Sequence, residues 1–170
     1  MLSTVRRAGA SAPRRPLAAV AVVAVSALTF ASSAGAVEHA TFSNAEQVFI
    51  KAYKPLVPNL NKTSSAIIKA VGRVGKDTDA QVVTIFTGLA NQWTIATKPL
   101  VALKAPPPEY VIFAAIRHFV PLVAVDLRAS AQAGRTHRIG AAKTAGRNLA
   151  RDFNALGAAV GQLKKKLGLP

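Results

Sequence analysis

Apolar residues recur along most of this chain at alternating steps of three and four, the spacing that places side chains on one face of an α-helix. Four stretches follow this pattern, the first of them with a polar Thr63 on the stripe and one step of four in place of three. They comprise Phe49, Tyr53, Leu56, Leu60, Thr63, Ile67, Val71 and Val74; Val82, Phe86, Leu89, Trp93, Ala96, Leu100 and Leu103; Phe113, Ile116, Val120, Val123 and Leu127; and Ile139, Ala142, Gly146, Leu149, Phe153, Leu156, Val160, Leu163 and Leu167. The pattern therefore predicts four helices.

Prolines and glycines predict where these helices bend or end. Pro55 and Pro58 interrupt the first stretch and predict a kink or two shorter helices there. Residues 105–108 end the second helix because consecutive prolines break the hydrogen-bond ladder. We expect Pro121 to bend the third helix and Gly134 to mark its end.

Short polar residues near the predicted helix starts are candidates for N-caps. Ser43, with Glu46 three residues later, forms a capping box for the first helix. Asp77 or Asp79 is the candidate cap of the second helix, and Thr136 is that of the last.

The third helix begins after Glu109, whose negative charge suits a helix N-terminus. Its stripe is flanked by further apolar residues, namely Val111, Ile112, Phe119, Leu122 and Val125. We therefore expect this helix to be apolar over much of its circumference and to be the most buried of the four.

Turns of roughly four to eight residues separate the four helices, and short connections favour antiparallel neighbours. The predicted fold is all-α, an up-down-up-down four-helix bundle with Pro-kinked helices. A three-helix arrangement, with the first segment broken at Pro55 and Pro58, is the alternative.

The first 36 residues have the features of a signal peptide. Four arginines precede an apolar run at residues 17–31, and Ala34-Gly35-Ala36 supplies a small-residue cleavage site. We predict cleavage after Ala36, a single helical domain over residues 37–170, and a location outside the cell or in its envelope. An uncleaved anchor is the alternative, because the uncharged residues 16–37 are long enough to cross a membrane.

Positive charge dominates the 170 residues, which include 22 lysines and arginines against 7 acidic residues. Cleavage would leave 18 basic and 7 acidic residues, a net charge of +11. A cationic surface attracts nucleic acid, anionic lipid or acidic polymers through a field that salt screens. The absence of cysteine excludes disulfides, thiolate metal sites and lipidation on cysteine.

Candidate catalytic residues are few. His39 and His137 are expected on the surface, whereas His118 lies in an apolar helix and could pair with Asp126 or lie at the rim of the helix's apolar face. An enzyme would need such groups to converge, for example His118 and Asp126 with Arg128. The Glu-x-x-His spacing of bundle metal sites and the common catalytic motifs are absent. We therefore predict a noncatalytic protein without metal or cofactor.

Basic residues follow the last helix, where Lys143, Arg147 and Arg151 repeat at steps of four on one face. The basic ridge consists of these three and of Arg135, Arg138, Lys164, Lys165 and Lys166. We predict contact with an anionic polymer or membrane surface, the competing interpretation being a solvated face that keeps the protein soluble. No aromatic residues interleave with the ridge, so specific nucleic-acid recognition is not expected.

Trp93 falls on the second stripe, so we expect it in the core. An alternative function is small-molecule binding in the bundle interior, around Trp93, Phe113 and Phe119, where proline bends would leave space. A pocket larger than about 300 Å³ would favour this alternative.

The alanine-rich signal segment, the helical stripes, the junction Leu103-Lys104-Ala105-Pro106-Pro107-Pro108-Glu109-Tyr110 and the terminal Leu167-Gly168-Leu169 resemble small secreted or lipid-anchored helical proteins of actinobacteria. The resemblance extends over most of residues 37–170. Many of those proteins carry cysteines that this chain lacks. The resemblance implies an exported, helical protein and no particular activity.

Overall fold

A computed structural model of the chain describes residues 42–169, and every regular element in this range is a helix. The predicted signal peptide, residues 1–36, and His39 lie outside the described residues. The α-helices are α1 (Asn44–Tyr53), α2 (Val57–Val71), α3 (Asp79–Ala102), α4 (Tyr110–Arg135) and α5 (Ile139–Lys166), with single 3₁₀ turns at Lys54–Leu56 and Pro107–Glu109.

The first predicted helix divides at its prolines. Pro55 lies in the 3₁₀ turn, and Pro58 occupies the first turn of α2, where the missing backbone N–H breaks no helical hydrogen bond. The prediction of two shorter helices is confirmed. Together α1 and α2 form the first of four helical segments, and the all-α class with four segments is confirmed.

Two capping boxes start the first and third helices. Ser43 Oγ accepts from the Glu46 backbone N–H at 3.3 Å, and the Glu46 carboxylate accepts from the Ser43 backbone N–H at 2.7 Å, as predicted. Thr78, and not Asp77 or Asp79, is the N-cap of α3. Its Oγ1 accepts from the backbone N–H of Gln81 at 3.3 Å.

The predicted junction before the last helix is wrong in two details. Helix α4 passes through Gly134 and ends at Arg135. Thr136 follows that end, where its Oγ1 donates to the Gln132 carbonyl at 3.0 Å, so it does not cap α5. The chain reverses at His137, which has a φ of 51°, and Arg138 precedes α5 without a side-chain cap.

The core forms where the stripes of the four segments meet. Helix α3 packs against α2 and α4, and α4 packs against both α3 and α5. Phe49 of α1 meets Phe113 of α4 edge to face, with ring centroids 5.3 Å apart. The largest fully buried side chains include Trp93, Phe113 and Phe153, so α3, α4 and α5 each contribute a large aromatic ring to the core.

A half-buried arginine on α4 completes the end of α3. Arg117 donates from Nε to the Val101 carbonyl at 3.0 Å and from Nη2 to the Leu103 carbonyl at 2.5 Å. Its guanidinium also lies over the Phe113 ring, 5.2 Å from the centroid. Arg117 thereby satisfies carbonyl groups that no helical N–H can reach.

Helix α4 has more buried residues than any other helix of the described range, as expected, but one of its faces is exposed. Val111 and Val125 are 80% and 54% exposed, because α4 turns one face outward between α3 and α5. Among the described residues, Pro107–Arg135 is long and apolar enough to cross a membrane, and its most apolar 18-residue window has a mean hydropathy of 1.7. Core helices of soluble proteins meet the same criterion, and 39% of the most apolar window is buried within the fold.

Candidate functional site

The basic ridge is exposed along α5. Lys143, Arg147 and Arg151 all reach solvent on the face opposite the α5 core stripe. Lys165 is exposed too, and it lies five full helical turns after Arg147, which returns it to the same face. These four cations therefore share one side of a single helix.

The remaining members of the ridge lie at its two ends. Arg135 ends α4 and Arg138 precedes α5, and both are exposed. Lys164 is half-buried, and desolvation lowers the pKa of its ammonium group. Lys166 donates from Nζ to the Pro108 carbonyl at 3.0 Å, which ties the end of α5 to the start of α4.

Acidic side chains are withdrawn from the same surface. All six carboxylates in residues 42–169 are half-buried or buried. In contrast, sixteen of the eighteen lysines and arginines in this range are exposed. The six are Glu46, Asp77, Asp79, Glu109, Asp126 and Asp152. The net positive charge is therefore displayed with little local neutralisation.

Several of these carboxylates have a partner within the fold. Asp77 pairs with Arg73 at 3.4 Å, and Asp79 pairs with His137 at 2.5 Å. The pairing of Asp79 with His137 joins the start of α3 to the turn after α4. Asp77 and Asp79 therefore stabilise helix ends and connections within the fold.

Two buried carboxyl groups meet between α4 and α5. Asp126 and Asp152 are 6% and 2% exposed, and they interact through a side-chain hydrogen bond. Burial raises the pKa of Asp126 to about 6, with further contributions from the Asp152 charge and that hydrogen bond, while Arg151 opposes the shift. Two carboxylates so close in a buried site do not both ionise readily, so one proton is retained between them below that pH.

Arg151 connects this pair to the ridge. Its Nε donates to Asp152 Oδ1 at 2.7 Å and its Nη2 to Asp152 Oδ2 at 3.2 Å, while most of the side chain remains exposed. The two hydrogen bonds have the fork geometry that is typical of an arginine on a carboxyl group. Within residues 42–169, Asp126 Oδ2 is buried with no hydrogen-bond partner.

Asp152 is not among the candidate site residues that the sequence pattern predicts. A signal was present, since Asp152 precedes Phe153 on the core stripe of α5 and Asp126 precedes Leu127 on that of α4. A carboxylate so close to an apolar stripe is expected at the edge of the buried face. Only the packing of α4 on α5 brings the two residues together.

The candidate catalytic residues His118, Asp126 and Arg128 do not meet at one site. His118 is exposed on α4, two helical turns from Asp126, or about 12 Å along the axis. Of the two positions considered for His118, the pairing with Asp126 does not occur, because Asp126 turns inward to Asp152. Arg128 donates to Thr94 Oγ1 at 3.3 Å, on the side of α4 that faces α3.

The three aromatic residues predicted for a ligand site lie in three separate ring contacts. Trp93 and Phe113 are fully buried, and Phe119 is half-buried. Their ring partners, with centroid distances, are Phe153 for Trp93 (6.0 Å), Phe49 for Phe113 (5.3 Å) and His118 for Phe119 (5.0 Å). Trp93 is a core residue, as expected.

No group of three or more His, Cys, Asp and Glu residues within residues 42–169 has a geometry that could hold a metal ion. Known protein families, curated proteins and solved structures give no match to this chain. The candidate functional site is therefore defined by its own geometry, as a carboxylate-poor cationic surface on α5.

Proposed function

We propose that this chain is an exported, noncatalytic helical protein of the cell envelope or the extracellular space, which binds an anionic polymer or an anionic membrane surface through the basic ridge. The observation that carries the proposal is the separation of charge. Exposed side chains in residues 42–169 carry the cations, and the carboxylates are partly or fully buried. Such a surface attracts a polyanion over distances comparable with the Debye length, about 8–10 Å at moderate salt.

The proposed fold is an up-down-up-down bundle, preceded by a signal peptide over residues 1–36. Short connections between α3 and α4 and between α4 and α5 support this topology. So do the contacts of Arg117 with Val101 and of Lys166 with Pro108, each of which joins opposite ends of consecutive helices. The arginine-rich start, the apolar run and Ala34-Gly35-Ala36 support export.

The ridge suits extended anions better than a small anionic ligand. Its exposed cations lie towards the two ends of α5, at Lys143 to Arg151 and at Lys165, and span about 33 Å along the helix axis with a gap of about 21 Å between Arg151 and Lys165. Each cation contacts one phosphate or sulfate at most, so binding relies on several weak contacts that act together. Affinity is therefore expected to fall steeply with salt concentration.

The test compares two triple variants of equal net charge. The ridge variant carries Lys143→Gln, Arg147→Gln and Lys165→Gln, and leaves Arg151 on Asp152. The matched control carries Lys62→Gln, Lys69→Gln and Lys76→Gln, three exposed residues on α2 and the turn that follows it. Binding to dextran sulfate, DNA and phosphatidylglycerol vesicles is measured from 25 to 300 mM salt, concentrations chosen to be on the order of the physiological range.

We expect the ridge variant to lose on the order of tenfold or more in affinity at low salt, and the control to lose less than about threefold. The ridge variant should also show a shallower dependence of affinity on salt. If the two variants lose affinity equally, the ridge is a solvated face that keeps the protein soluble and not a binding surface. Absence of binding to all three anions would refute the proposal.

A further inference from the structure

An exposed apolar stripe follows the outer face of α4 beside the basic ridge. The α4 stripe consists of Val111, Ala114, His118, Pro121, Val125 and Ala129, all of which are exposed. These positions fall within one narrow arc of the helix and extend over about 27 Å. Five of these six side chains are apolar, the exception being His118, and an exposed apolar helix face suits contact with another apolar phase or molecule.

The α4 stripe and the ridge are neighbours because α4 and α5 pack side by side. The contact of Asp126 with Asp152 and that of Pro108 with Lys166 set an antiparallel register between the two helices. In this register Val125 lies level with Arg151. Towards the other end of α5, Val111 lies level with Lys165. Apolar side chains and cations therefore run in parallel along adjacent helices.

We propose that the outer faces of α4 and α5 form one interfacial surface that binds anionic lipid bilayers, with the α4 stripe entering the headgroup region and the ridge contacting lipid phosphates. This inference rests on the proposed function and commits it to one partner. Peripheral membrane proteins combine an apolar strip with lysines and arginines in this way, since burial of apolar groups and attraction to anionic headgroups add.

Two other partners fit the surface less well. A hydrated polyanion would contact the cations of the ridge and leave Val111 and Val125 in water. Binding of a polyanion therefore does not explain the exposed apolar residues of the α4 stripe. A second copy of this chain, paired through the same faces, would bring two cationic ridges together without exposed carboxylates from residues 42–169 to offset the repulsion.

A single-site fluorescence experiment on the full chain tests where the bilayer makes contact. The sequence has no cysteine, so one introduced cysteine carries an environment-sensitive fluorophore at a chosen position. Val111→Cys and Val125→Cys report on the α4 stripe. Ser65→Cys is the control, because Ser65 is exposed on α2, which is not in the proposed surface.

With vesicles of phosphatidylglycerol and phosphatidylcholine, we expect the emission from positions 111 and 125 to shift to shorter wavelength and to be quenched by lipid-borne quenchers. Position 65 should remain in an aqueous environment. Pure phosphatidylcholine vesicles should give little shift at any position, since the ridge then has no anionic partner. Equal shifts at all three positions, or an aqueous signal at 125 in vesicle-bound protein, would overturn the inference.

A second variant separates this inference from the proposed function. Val111→Gln with Val125→Gln removes apolar surface at exposed positions and keeps every cation. We expect about tenfold weaker partition onto anionic vesicles and unchanged binding to dextran sulfate. If this variant partitions like the original chain while the ridge variant loses polyanion binding, only the membrane inference fails. If the ridge variant keeps its polyanion binding, the proposed function fails.

Discussion

The indole Nε1 of Trp93 donates a hydrogen bond of 2.8 Å to the backbone carbonyl oxygen of Val120. This bond joins α3 to α4 within the core, immediately before Pro121. It gives the buried polar atom of the indole ring a partner, which an apolar side chain at position 93 would not need. Trp93 therefore contributes both packing and a directed contact to the pairing of these helices.

Trp93→Phe keeps an aromatic ring and removes the donor. We expect the free energy of unfolding to fall by about 2–3 kcal/mol, from the smaller ring volume and the lost buried hydrogen bond. Urea unfolding followed by far-UV circular dichroism measures the change. The indole N–H of the original chain, which has one tryptophan, should exchange slowly with deuterium. A loss below about 0.5 kcal/mol would show that the bond adds little.

The pair Asp126 and Asp152 predicts a pH dependence of stability. The pKa of Asp126 is raised from 3.8 to about 6 in the folded chain, so the folded state holds a proton that the unfolded state releases over this range. The contribution of Asp126 to the free energy of unfolding is therefore greatest below pH 4 and is lost as the pH rises through about 6. The shift corresponds to about 3 kcal/mol.

Asp126→Asn should remove this loss, because an amide stays neutral and still donates to the Asp152 carboxylate. We compare the free energy of unfolding of the variant with that of the original chain at each pH. The difference in favour of the variant should be about 2–3 kcal/mol larger at pH 7.5 than at pH 4. Thermal unfolding across this pH range measures the gain. Asp77→Asn, which alters the pair with Arg73, is the control and should show no such gain. Parallel curves for Asp126→Asn and the original chain would contradict the prediction.

Two helical glycines should respond differently to alanine. A Cβ at Gly161 meets nothing within 4 Å, whereas one at Gly134 would lie 3.0 Å from Val83 Cγ2 and 3.4 Å from the Asp79 carbonyl oxygen. Gly161→Ala should stabilise the fold by about 0.5–1 kcal/mol through the lower entropy of the unfolded chain. Gly134→Ala should be less stable than Gly161→Ala by about 1 kcal/mol, because α4 would move away from α3. Denaturant unfolding of both variants decides the order.

The capping assignments predict a contrast between two threonines. Thr78→Ala removes the side chain that accepts from the backbone of Gln81, so we expect a loss of about 1 kcal/mol. Thr136→Ala removes only a hydroxyl that donates to the Gln132 carbonyl beyond the end of α4, and should cost less than about 0.5 kcal/mol. Chemical denaturation compares the two, and equal losses would argue against Thr78 as the cap.

Much of the secondary structure and core follows from the sequence. Steps of three and four identify residues such as Leu60, Trp93, Val123 and Phe153, all of which are buried. Pro55 and Pro58 divide the first segment, and the Ser43 capping box starts it. These features are local, since they depend on helix periodicity and on hydrogen bonds within one turn, which a single stretch of sequence encodes.

Tertiary structure alone decides which outward-facing and edge residues come together. The meeting of Asp126 with Asp152, the approach of Gly134 to Val83, and the alignment of the α4 stripe with the ridge each depend on two helices at once. Their geometry is set by the rotation and axial register of packed helices, which side-chain interlocking fixes. A periodic stripe indicates which face of a helix is buried. It does not specify the opposing residue, because the register belongs to the pair of helices and not to either sequence by itself.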